Sequence, residues 1–531
     1  MAHVQREVEL KYAADDAFEM PALTEILAGD GRGTPVFGAV PLSEGEVARQ
    51  RLDATYFDTA DLRLAAAGLT LRRRTGGSDA GWHLKVPAGD ATRWEVRLPP
   101  GRVPPGRTPR AVPGELQSMV WARTLGEPLQ PVARITTQRT VRRLTDATGQ
   151  ILAEVADDQV TGRRLLVSDG TGEAAGAETS WREIEVELSD GAGDLSELLD
   201  SRLRDRGLQE ASAASKLAHV LGSAPAGQVA DVDPRLSVES PSAAVVLAHL
   251  RQQVAQVHAQ DLPVRLDAPD SVHKMRVATR RLRSALTTFK RLFDVRVTRP
   301  LRDELKWLAG ELGAARDAEV MRDRVHTAVE RESHQLAVRA GADDARSELT
   351  EAYRTAHDRV LAELDSDRYH QILTALQALV EQPPLRKRAK APAGKVLPAL
   401  VARSYDRVRG FVEEAQSLPA GEERDELLHE ARKAAKQARY AGEAVAPAFG
   451  KDAATFAAAM EDLQEALGEH QDSILTRERL RTLALHASST EVAFLYGRLH
   501  ALEEARTELS QQHFDTAWKA ARRKSLHRWL P

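Results

Sequence analysis

The feature that most constrains the fold is a helical charge pattern that occurs twice in the second half of the chain. In residues 272–286, four basic side chains recur in steps of three, four and three, which places them on one face of a helix. The same steps recur in residues 428–440. We call each set a cationic stripe: His273, Arg276, Arg280 and Arg283 form the first, and His429, Arg432, Lys436 and Arg439 form the second. The face opposite each stripe is apolar, so the repeat predicts a duplicated, packed helical unit.

The rest of the second half supports this duplication. The hexapeptide Leu-Gly-Ala-Ala-Arg-Asp at 312–317 is echoed by Leu-Gly-Glu-His-Gln-Asp at 467–472. Helical periodicity predicts helices at 242–260, 270–293, 299–314, 316–337, 343–364, 367–381, 395–416, 422–446, 451–468, 471–486 and 490–526. A Gln-Pro-Pro break at 382–384 separates two repeats, about 242–382 and 395–531. A stretch containing Pro and Gly at 222–241 is predicted to be a linker to the first half.

Composition and charge exclude several classes of protein. The 531 residues carry a net charge of -4, so any binding of polyanions must come from local basic clusters. The sequence has no cysteine, which excludes disulfides, thiolate metal ligands and a cysteine nucleophile. No apolar run approaches the roughly 18 residues of a membrane-spanning helix, and the amino terminus lacks the apolar core of a signal peptide. We therefore expect a soluble, cytoplasmic protein that has no membrane partner.

The first half predicts an antiparallel β domain. Segments that alternate between charged and apolar residues occur at 3–12, 52–58, 69–75, 81–86, 93–98, 133–144, 151–160 and 181–188. A single sheet with one wet face would give this pattern, and so would a closed barrel with a polar interior and helices outside. Acidic and basic residues are sorted by strand, which favours the barrel. Pairs such as Glu7 and Glu9 repel each other unless cations lie opposite them.

These strands resemble the CYTH family, the triphosphate tunnel metalloenzymes, over roughly residues 3–220. The resemblance rests on the Glu-x-Glu-x-Lys opening at 7–11 and on the basic strands that follow it in order. It implies an eight-stranded antiparallel tunnel. It implies a site for Mg²⁺ or Mn²⁺ formed by Glu7, Glu9, Asp158, Glu183 and Glu185. It implies a triphosphate site formed by Lys11, Arg72, Arg74, Lys85, Arg93, Arg139 and Lys216.

The chemistry of these residue types agrees with that expectation. Hard divalent cations prefer carboxylate oxygens, and Arg and Lys neutralise a triphosphate. One metal can bridge phosphate oxygens while a second polarises the attacking water, so no covalent nucleophile is required. The residues predicted to take part in catalysis are Glu7, Glu9, Lys11 and Glu95. Either Glu95 or Glu187 is expected to orient or deprotonate the water, and Asp58 is either a turn residue or a catalytic one.

The two cationic stripes resemble the CHAD family, the conserved-histidine α-helical domain, over about residues 240–525. The paired His-x-x-Arg-x-x-x-(Arg/Lys) helices carry this resemblance. It implies an all-α domain at 242–531 that binds inorganic polyphosphate through the stripes, joined to a CYTH domain at 1–221. The apolar face of the second copy consists mostly of Ala431, Ala434, Ala435 and Ala438. That small face predicts close helix approach and stripes that lie side by side. Polyphosphate binding extends the expected location to polyphosphate granules.

Plainer interpretations of the same residues stay open. The stripes can be solvated charged faces, their histidines can be structural, and the acidic strands can form salt bridges inside an inactive barrel. The leading hypothesis is a metal-dependent hydrolase of inorganic triphosphate or short polyphosphate. The alternatives are a non-catalytic polyphosphate-binding protein, or an enzyme that hydrolyses thiamine triphosphate or cyclises ATP. Few aromatic residues are expected in the lumen or the stripes, which favours an inorganic substrate and disfavours sequence-specific nucleic acid.

Overall fold

The computed structural model describes residues 3–15, 17–28, 36–37, 40–89, 92–101, 111–166, 174–189, 193–222, 236–331, 336–419, 421–487 and 489–531. It divides into two compact units, Met1–Gln228 and Val229–Pro531. The division falls inside the predicted linker, of which residues 223–235 lie outside the described residues. The last part of that stretch is hydrogen-bonded to the helical unit. The backbone N–H groups of Ala393 and Gly394 donate to the carbonyl oxygens of Ser240 and Val238, both at 2.8 Å.

The first unit contains an eight-stranded antiparallel barrel. Its strands are β1 His3–Ala14, β2 Ala48–Asp58, β3 Thr70–Thr75, β4 Gly81–Pro87, β5 Thr92–Leu98, β6 Gln130–Thr145, β7 Ile151–Leu166 and β8 Ala174–Leu188. The ring runs β1–β5–β4–β3–β2–β6–β7–β8 and closes on β1. Because each strand pairs on both sides, the predicted closed barrel is confirmed over the sheet with one wet face. Short strands add to it: Ser43–Glu44 pairs with β6, Gln209–Glu210 pairs with β1, and Val36–Phe37 pairs with Val40–Pro41.

The charged residues of the strands face the inside of the barrel. Across β1 and β8, Glu9 is opposite Glu187 and Lys11 is opposite Glu185, and all four line the interior. The next residue, Tyr12, points the other way and is only 1% exposed. Five helices accompany the barrel: α1 Leu23–Ala28, α2 Arg63–Ala66, α3 Gly114–Thr124, α4 Gly193–Asp205 and α5 Lys216–Leu221. Apolar residues of α1 and α4 pack with Tyr12 on the outer face, so the hydrophobic core surrounds a polar lumen.

The second unit is helical, as predicted. Its helices are α6 Ser242–Arg265, α7 Ser271–Thr288, α8 Val295–Arg331, α9 Leu336–Leu364, α10 Asp367–Glu381, α11 Ala393–Ser417, α12 Glu422–Leu485 and α13 Thr490–Ala521. Two predicted breaks are wrong, because α8 runs through residue 315 and α12 runs through residues 469–470. Ala315 is fully buried, and its packing keeps α8 continuous despite Gly313 two residues earlier. The predicted break before residue 451 is confirmed at Gly450, where φ is 58°.

The two stripes lie on helices that pack against each other. Gln437 Nε2 of α12 donates to Thr288 Oγ1 of α7 at 3.1 Å, and Arg280 Nη2 of α7 donates to the Tyr440 hydroxyl of α12 at 3.2 Å. Residue numbers rise along α7 while their partners fall along α12, so the helices are antiparallel. The four alanines of the second copy are buried. The two stripe helices are therefore in contact, whereas close approach at the alanine face stays a prediction.

Within the part of the chain that the structure describes, no helix combines the length and the apolar character of a transmembrane segment.

Asp58 stands at the end of β2, where the chain turns into α2. Its fully buried carboxylate accepts hydrogen bonds from the backbone N–H groups of Thr59, Leu64 and Ala65, at 2.7, 2.8 and 2.9 Å. These bonds hold the start of the short helix, whose donors would otherwise be buried without acceptors. Of the two roles predicted for Asp58, the geometry is that of the turn residue.

Replacing Asp58 with alanine is expected to lower the free energy of unfolding by about 3 kcal/mol, because three buried N–H groups lose a charged acceptor. Urea unfolding of the full chain measures this change. Asp61→Ala is the matched control, since the exposed Asp61 carboxylate pairs with Arg63 at 2.8 Å and should contribute less than about 1 kcal/mol. Equal losses from the two substitutions would contradict a capping role for Asp58.

Candidate functional site

The barrel encloses a charged cavity of about 270 Å³. Each side chain predicted to bind triphosphate lines this cavity: Lys11, Arg72, Arg74, Lys85, Arg93, Arg139 and Lys216. Most of them come from alternate positions of neighbouring strands, whose pleat aims them inward. Lys216 is instead the first residue of α5, where the preceding Ser215 caps the helix by accepting from the Ala218 N–H at 3.1 Å. The structure thus brings together a set of cations that are far apart in sequence.

Three buried carboxylates form a first acidic cluster inside the barrel. Oxygens of Asp158, Glu183 and Glu185 lie within 4.8 Å of one another. The Lys216 ammonium lies 2.9, 2.6 and 2.7 Å from these three carboxylates in that order. Arg139 adds a bidentate pair to Asp158 at 2.8 and 2.7 Å. Burial disfavours the charge on Lys216, but the three carboxylates outweigh it and raise the pKa of Lys216.

Glu185 also belongs to a second acidic cluster, with Glu9 and Glu187, whose oxygens again lie within 4.8 Å. The Lys11 ammonium lies 3.2 Å from Glu9 and 3.0 Å from Glu185. Burial favours the protonated form of Glu9, yet Lys11 and Lys85 prevail and lower its pKa. Burial raises the pKa of Glu187, and the charges on Glu9 and Glu185 add to this effect.

The two clusters fit hard divalent cations. Their donors are all carboxylate oxygens, the ligands that Mg²⁺ and Mn²⁺ prefer, and the shared Glu185 suits a site with two ions. Glu9 Oε2 is buried and accepts no hydrogen bond from any residue that the structure describes. Its lone pairs are therefore available to a cation. The donor set does not distinguish Mg²⁺ from Mn²⁺.

The structure adds one residue to the predicted metal ligands and leaves one undescribed. Glu187 completes the second cluster, although the sequence predicts for it only a role toward water. The alternation of Glu183, Glu185 and Glu187 along β8 places all three on one face and would have indicated it. The backbone of Glu7 pairs with Arg93 of β5, but its side chain lies outside the described residues. Its predicted roles as metal ligand and catalytic residue stay predictions.

Glu95, a predicted catalytic residue, is surrounded by donors. His83 Nδ1 lies 2.9 Å from Glu95 Oε1, and Lys85 Nζ lies 3.9 Å from the same oxygen. Arg97 pairs with Glu95 Oε2. Burial disfavours the carboxylate, but His83 and Lys85 outweigh it and lower the pKa of Glu95. The other ring nitrogen of His83 lies 2.8 Å from the backbone carbonyl oxygen of Asp79. The sequence places His83 on the charged face but predicts no role for it, because alternation shows a face and not a partner.

The stripe residues are half-buried, and the first stripe crowds like charges together. Burial and then Arg280 lower the pKa of both Arg276 and Arg283. Burial and then Arg316 lower the pKa of His273. The Nε atoms of Arg276 and Arg280 are buried and have no acceptor among the described residues. An anion supplied from outside would relieve this arrangement.

The second stripe differs from the first at its last position. Arg439 Nε donates to Glu443 at 2.8 Å, and its Nη2 pairs with Glu461 at 2.7 Å. Burial disfavours the Arg439 cation, but these two carboxylates raise its pKa. Arg283, the matching residue of the first stripe, has no carboxylate partner in the described part of the chain. The predicted equivalence of the two stripes therefore does not extend to their charge balance.

Comparisons with known proteins agree with this architecture. A CYTH domain model matches residues 39–218, and a CHAD domain model matches residues 248–481. An uncharacterized protein of Mycobacterium tuberculosis, strain CDC 1551 / Oshkosh, is 40% identical over 487 residues, which is 88% of this chain and 89% of that protein. PptA from Streptomyces chartreusis is 23% identical with a TM-score of 0.45, and the match covers 53% of this chain and 100% of PptA. The CHAD domain from the plant Ricinus communis is 22% identical with a TM-score of 0.44, over 55% of this chain and 94% of that domain.

Lys216→Met is expected to destabilise the barrel unless a divalent cation takes the place of the ammonium. The substitution leaves three buried carboxylates without one of their cations, and breaking a buried ion pair costs about 3–5 kcal/mol. Calorimetry of the full chain should show a lower Tm in EDTA, and a larger rise of Tm on adding Mg²⁺ or Mn²⁺ than wild type shows. Lys216→Arg, which keeps the charge, is the matched control. Equal metal responses in all three proteins would contradict an overlap between Lys216 and a cation site.

Proposed function

This chain belongs to the family of proteins that join a CYTH domain to a CHAD domain, and on that premise we propose that its tunnel hydrolyses inorganic triphosphate and short polyphosphate with a divalent metal. CYTH tunnel enzymes are metal-dependent, and the family includes triphosphatases and cyclases. The observation that carries the proposal is the cluster of Glu9, Glu185 and Glu187 in a cavity that is also lined by the predicted phosphate-binding cations, with the first cluster joined to it through Glu185. Acidic residues for a metal and basic residues for a polyanion are thus within reach of one small substrate.

In this proposal the substrate phosphates lie against the basic residues of β3, β4 and β5. Arg72 and Arg74 come from β3, Lys85 comes from β4, and Arg93 comes from β5. Arginine can bind two phosphate oxygens at once through parallel N–H groups, and lysine adds a mobile point charge. Without substrate, these cations face carboxylates. A substrate with several negative charges would take the place of those carboxylates as the partner of the cations.

The reaction is the attack of water on the terminal phosphorus. A bound divalent ion would supply Lewis-acid stabilisation of the phosphate oxygens and lower the pKa of the water. We assign Glu187 to orient the water and to take its proton, because Glu187 lies in the second cluster while Glu95 is held by His83 and Arg97. The phosphorus–oxygen bond to the bridging oxygen breaks. The products are orthophosphate and a chain that is shorter by one phosphate.

The lining of the cavity supports an inorganic substrate. Tyr56 is the single aromatic residue among the described side chains that line it. Its hydroxyl accepts from Arg72 Nη1 at 3.4 Å, and the residue is only 3% exposed. A nucleoside or thiamine group would therefore find no stacking surface of the kind that such rings use. This observation ranks inorganic chains above ATP and thiamine triphosphate.

A second candidate function is a polyphosphate-docking protein whose tunnel is silent. The observation in its favour is that Arg139 and Lys216 already neutralise the first cluster. Salt bridges in an inactive barrel would have the same geometry. The two candidates differ in whether added metal produces phosphate release.

For the helical unit, we propose that the stripes hold long-chain polyphosphate. Polyphosphate carries about one charge per phosphate, so a row of basic residues can follow it as proteins follow the backbone of a nucleic acid. The crowding of Arg276, Arg280 and Arg283 supports this role, because like charges in proximity destabilise a helix that has no ligand. Tyr440 lies among these cations but is only 5% exposed, so it offers no surface on which a base could stack.

The test of the tunnel is phosphate release from tripolyphosphate, long-chain polyphosphate and ATP, each with Mg²⁺, Mn²⁺ or EDTA. We expect metal-dependent release from the inorganic substrates. Glu9→Gln should reduce it by at least about 10- to 100-fold, the range found for groups that support a bound metal. Glu154→Gln is the matched control, since Glu154 lines the cavity outside both clusters and pairs with Arg143 at 2.8 Å. Long-chain binding without release in any metal would establish the docking protein instead.

The test of the stripes is the salt dependence of long-chain polyphosphate binding. Arg276→Ala combined with Arg432→Ala should weaken binding and reduce the slope of log affinity against log salt by about 1 to 2, because two phosphate contacts are lost. Arg439→Ala is the control on the same face. Its guanidinium already pairs with Glu443 and Glu461, so its loss should change the slope less. A slope unchanged in the double variant would remove the stripes from the binding site.

A further inference from the structure

Two glycines in the helical unit lie against stripe arginines. Gly313 of α8 and Gly468 of α12 are the second residues of the repeated hexapeptides, and both are buried inside helices. A Cβ atom added to Gly468 would lie 2.9, 3.1 and 3.2 Å from Nη2, Nε and Cζ of Arg432. A Cβ added to Gly313 would lie 3.6, 3.7 and 4.0 Å from Nε, Nη2 and Cζ of Arg276. In both repeats, the nearest atoms belong to the guanidinium group of the same stripe position.

The contrast with other helical glycines makes this contact informative. Glycine is a poorer helix former than alanine, so a buried glycine in mid-helix needs a reason. Gly310, one turn earlier in α8, is exposed, and an added Cβ there would meet nothing within 4 Å. Gly410 of α11 is equally open. The two glycines of the repeated hexapeptide are therefore set apart by the arginine that covers each of them.

We propose that Gly468 is a positioning residue of the polyphosphate site, with Gly313 as its tolerant counterpart in the first repeat, an inference that rests on the proposed function of the stripes. At Gly468 the missing side chain leaves room for the Nε–Nη2 edge of the Arg432 guanidinium to lie against the helix. This contact fixes the position from which the guanidinium charge meets phosphate oxygens. A cation held in this way loses less side-chain freedom when it binds than an unrestrained arginine would.

The clearances predict unequal consequences for the two repeats. At Gly468 a methyl group would be too close to Arg432, so the guanidinium would have to move away from the helix. At Gly313 the same methyl group would make ordinary van der Waals contact with Arg276, which can stay in place. An added methyl group is therefore excluded beside Arg432 in the second repeat and tolerated beside Arg276 in the first.

The experiment compares four alanine substitutions in the full chain by their affinity for long-chain polyphosphate. Gly468→Ala should weaken binding about tenfold, the size of one charge-assisted hydrogen bond. Gly313→Ala should weaken it by less than about threefold. Gly310→Ala and Gly410→Ala should bind as wild type does and unfold at an equal or higher temperature. Wild-type affinity in Gly468→Ala would overturn the inference while leaving the proposed function in place.

A double-mutant cycle separates positioning of Arg432 from damage to the helix. If Gly468 acts through Arg432, Gly468→Ala should have no further effect on affinity in an Arg432→Ala background. Arg432→Lys should relieve the effect of Gly468→Ala, since the flexible ammonium stem can avoid the added methyl group. An equal loss of affinity in both backgrounds would overturn the inference. Wild-type protein that does not bind polyphosphate would overturn the proposed function itself, and the inference with it.

Discussion

The ion pairs around Glu185 are the interaction on which the barrel depends. Its carboxylate is buried beside Lys11 at 3.0 Å, Lys216 at 2.7 Å and Arg139 at 2.5 Å, and these cations hold its pKa well below the ordinary range against the effect of burial. A closed barrel with ionised groups inside folds only if each charge is compensated, because burying an unpaired charge costs several kcal/mol. The carboxylates that suit a metal and the cations that suit a phosphate are therefore also each other's partners. A substrate-metal complex, as proposed here, would replace the pairs between these carboxylates and cations with carboxylate–metal pairs and cation–phosphate pairs.

The helical unit treats charge in the opposite way. In the first stripe, burial and then the Arg280 charge lower the pKa of Arg276 and Arg283, and the buried Nε atoms of Arg276 and Arg280 have no acceptor in the described part of the chain. The second stripe is partly neutralised, since Arg439 is paired with Glu443 and Glu461. The two units thus differ in how far their basic residues are balanced by acidic ones. The barrel encloses balanced charges that a small ligand can rearrange, whereas the stripes keep a positive excess along a helix surface.

Sequence patterns predicted which face of a strand or helix a side chain occupies better than they predicted which residue it contacts. Alternation placed Glu9, Lys11 and Glu185 on one side of their strands, and the helical spacing placed each stripe on one face. Periodicity specifies a face but not the partner across it, which is why the link from His83 to Glu95 and the carboxylates around Arg439 were not predicted. The place of Glu187 beside Glu9 and Glu185 was within reach of the same alternation that revealed its neighbours. The helix break at 315 was wrong because Ala315 is buried and continues a packed helix, and α12 also continues through 469–470, whereas Gly450 adopts a conformation that interrupts the helix.

For the polymer binding proposed for the stripes, the antiparallel packing of α7 and α12 bears on which polymers they can follow. Two copies of one helix, laid side by side in opposite directions, present a similar order of cations whether they are approached from one end or the other. A nucleic acid strand has chemically different ends, and such a surface could not favour one direction of it. Inorganic polyphosphate has identical ends, so a chain entering from either side would meet equivalent contacts. The duplication therefore suits a ligand without polarity, and the pairing of Arg439 with acidic residues is the point at which that symmetry is broken.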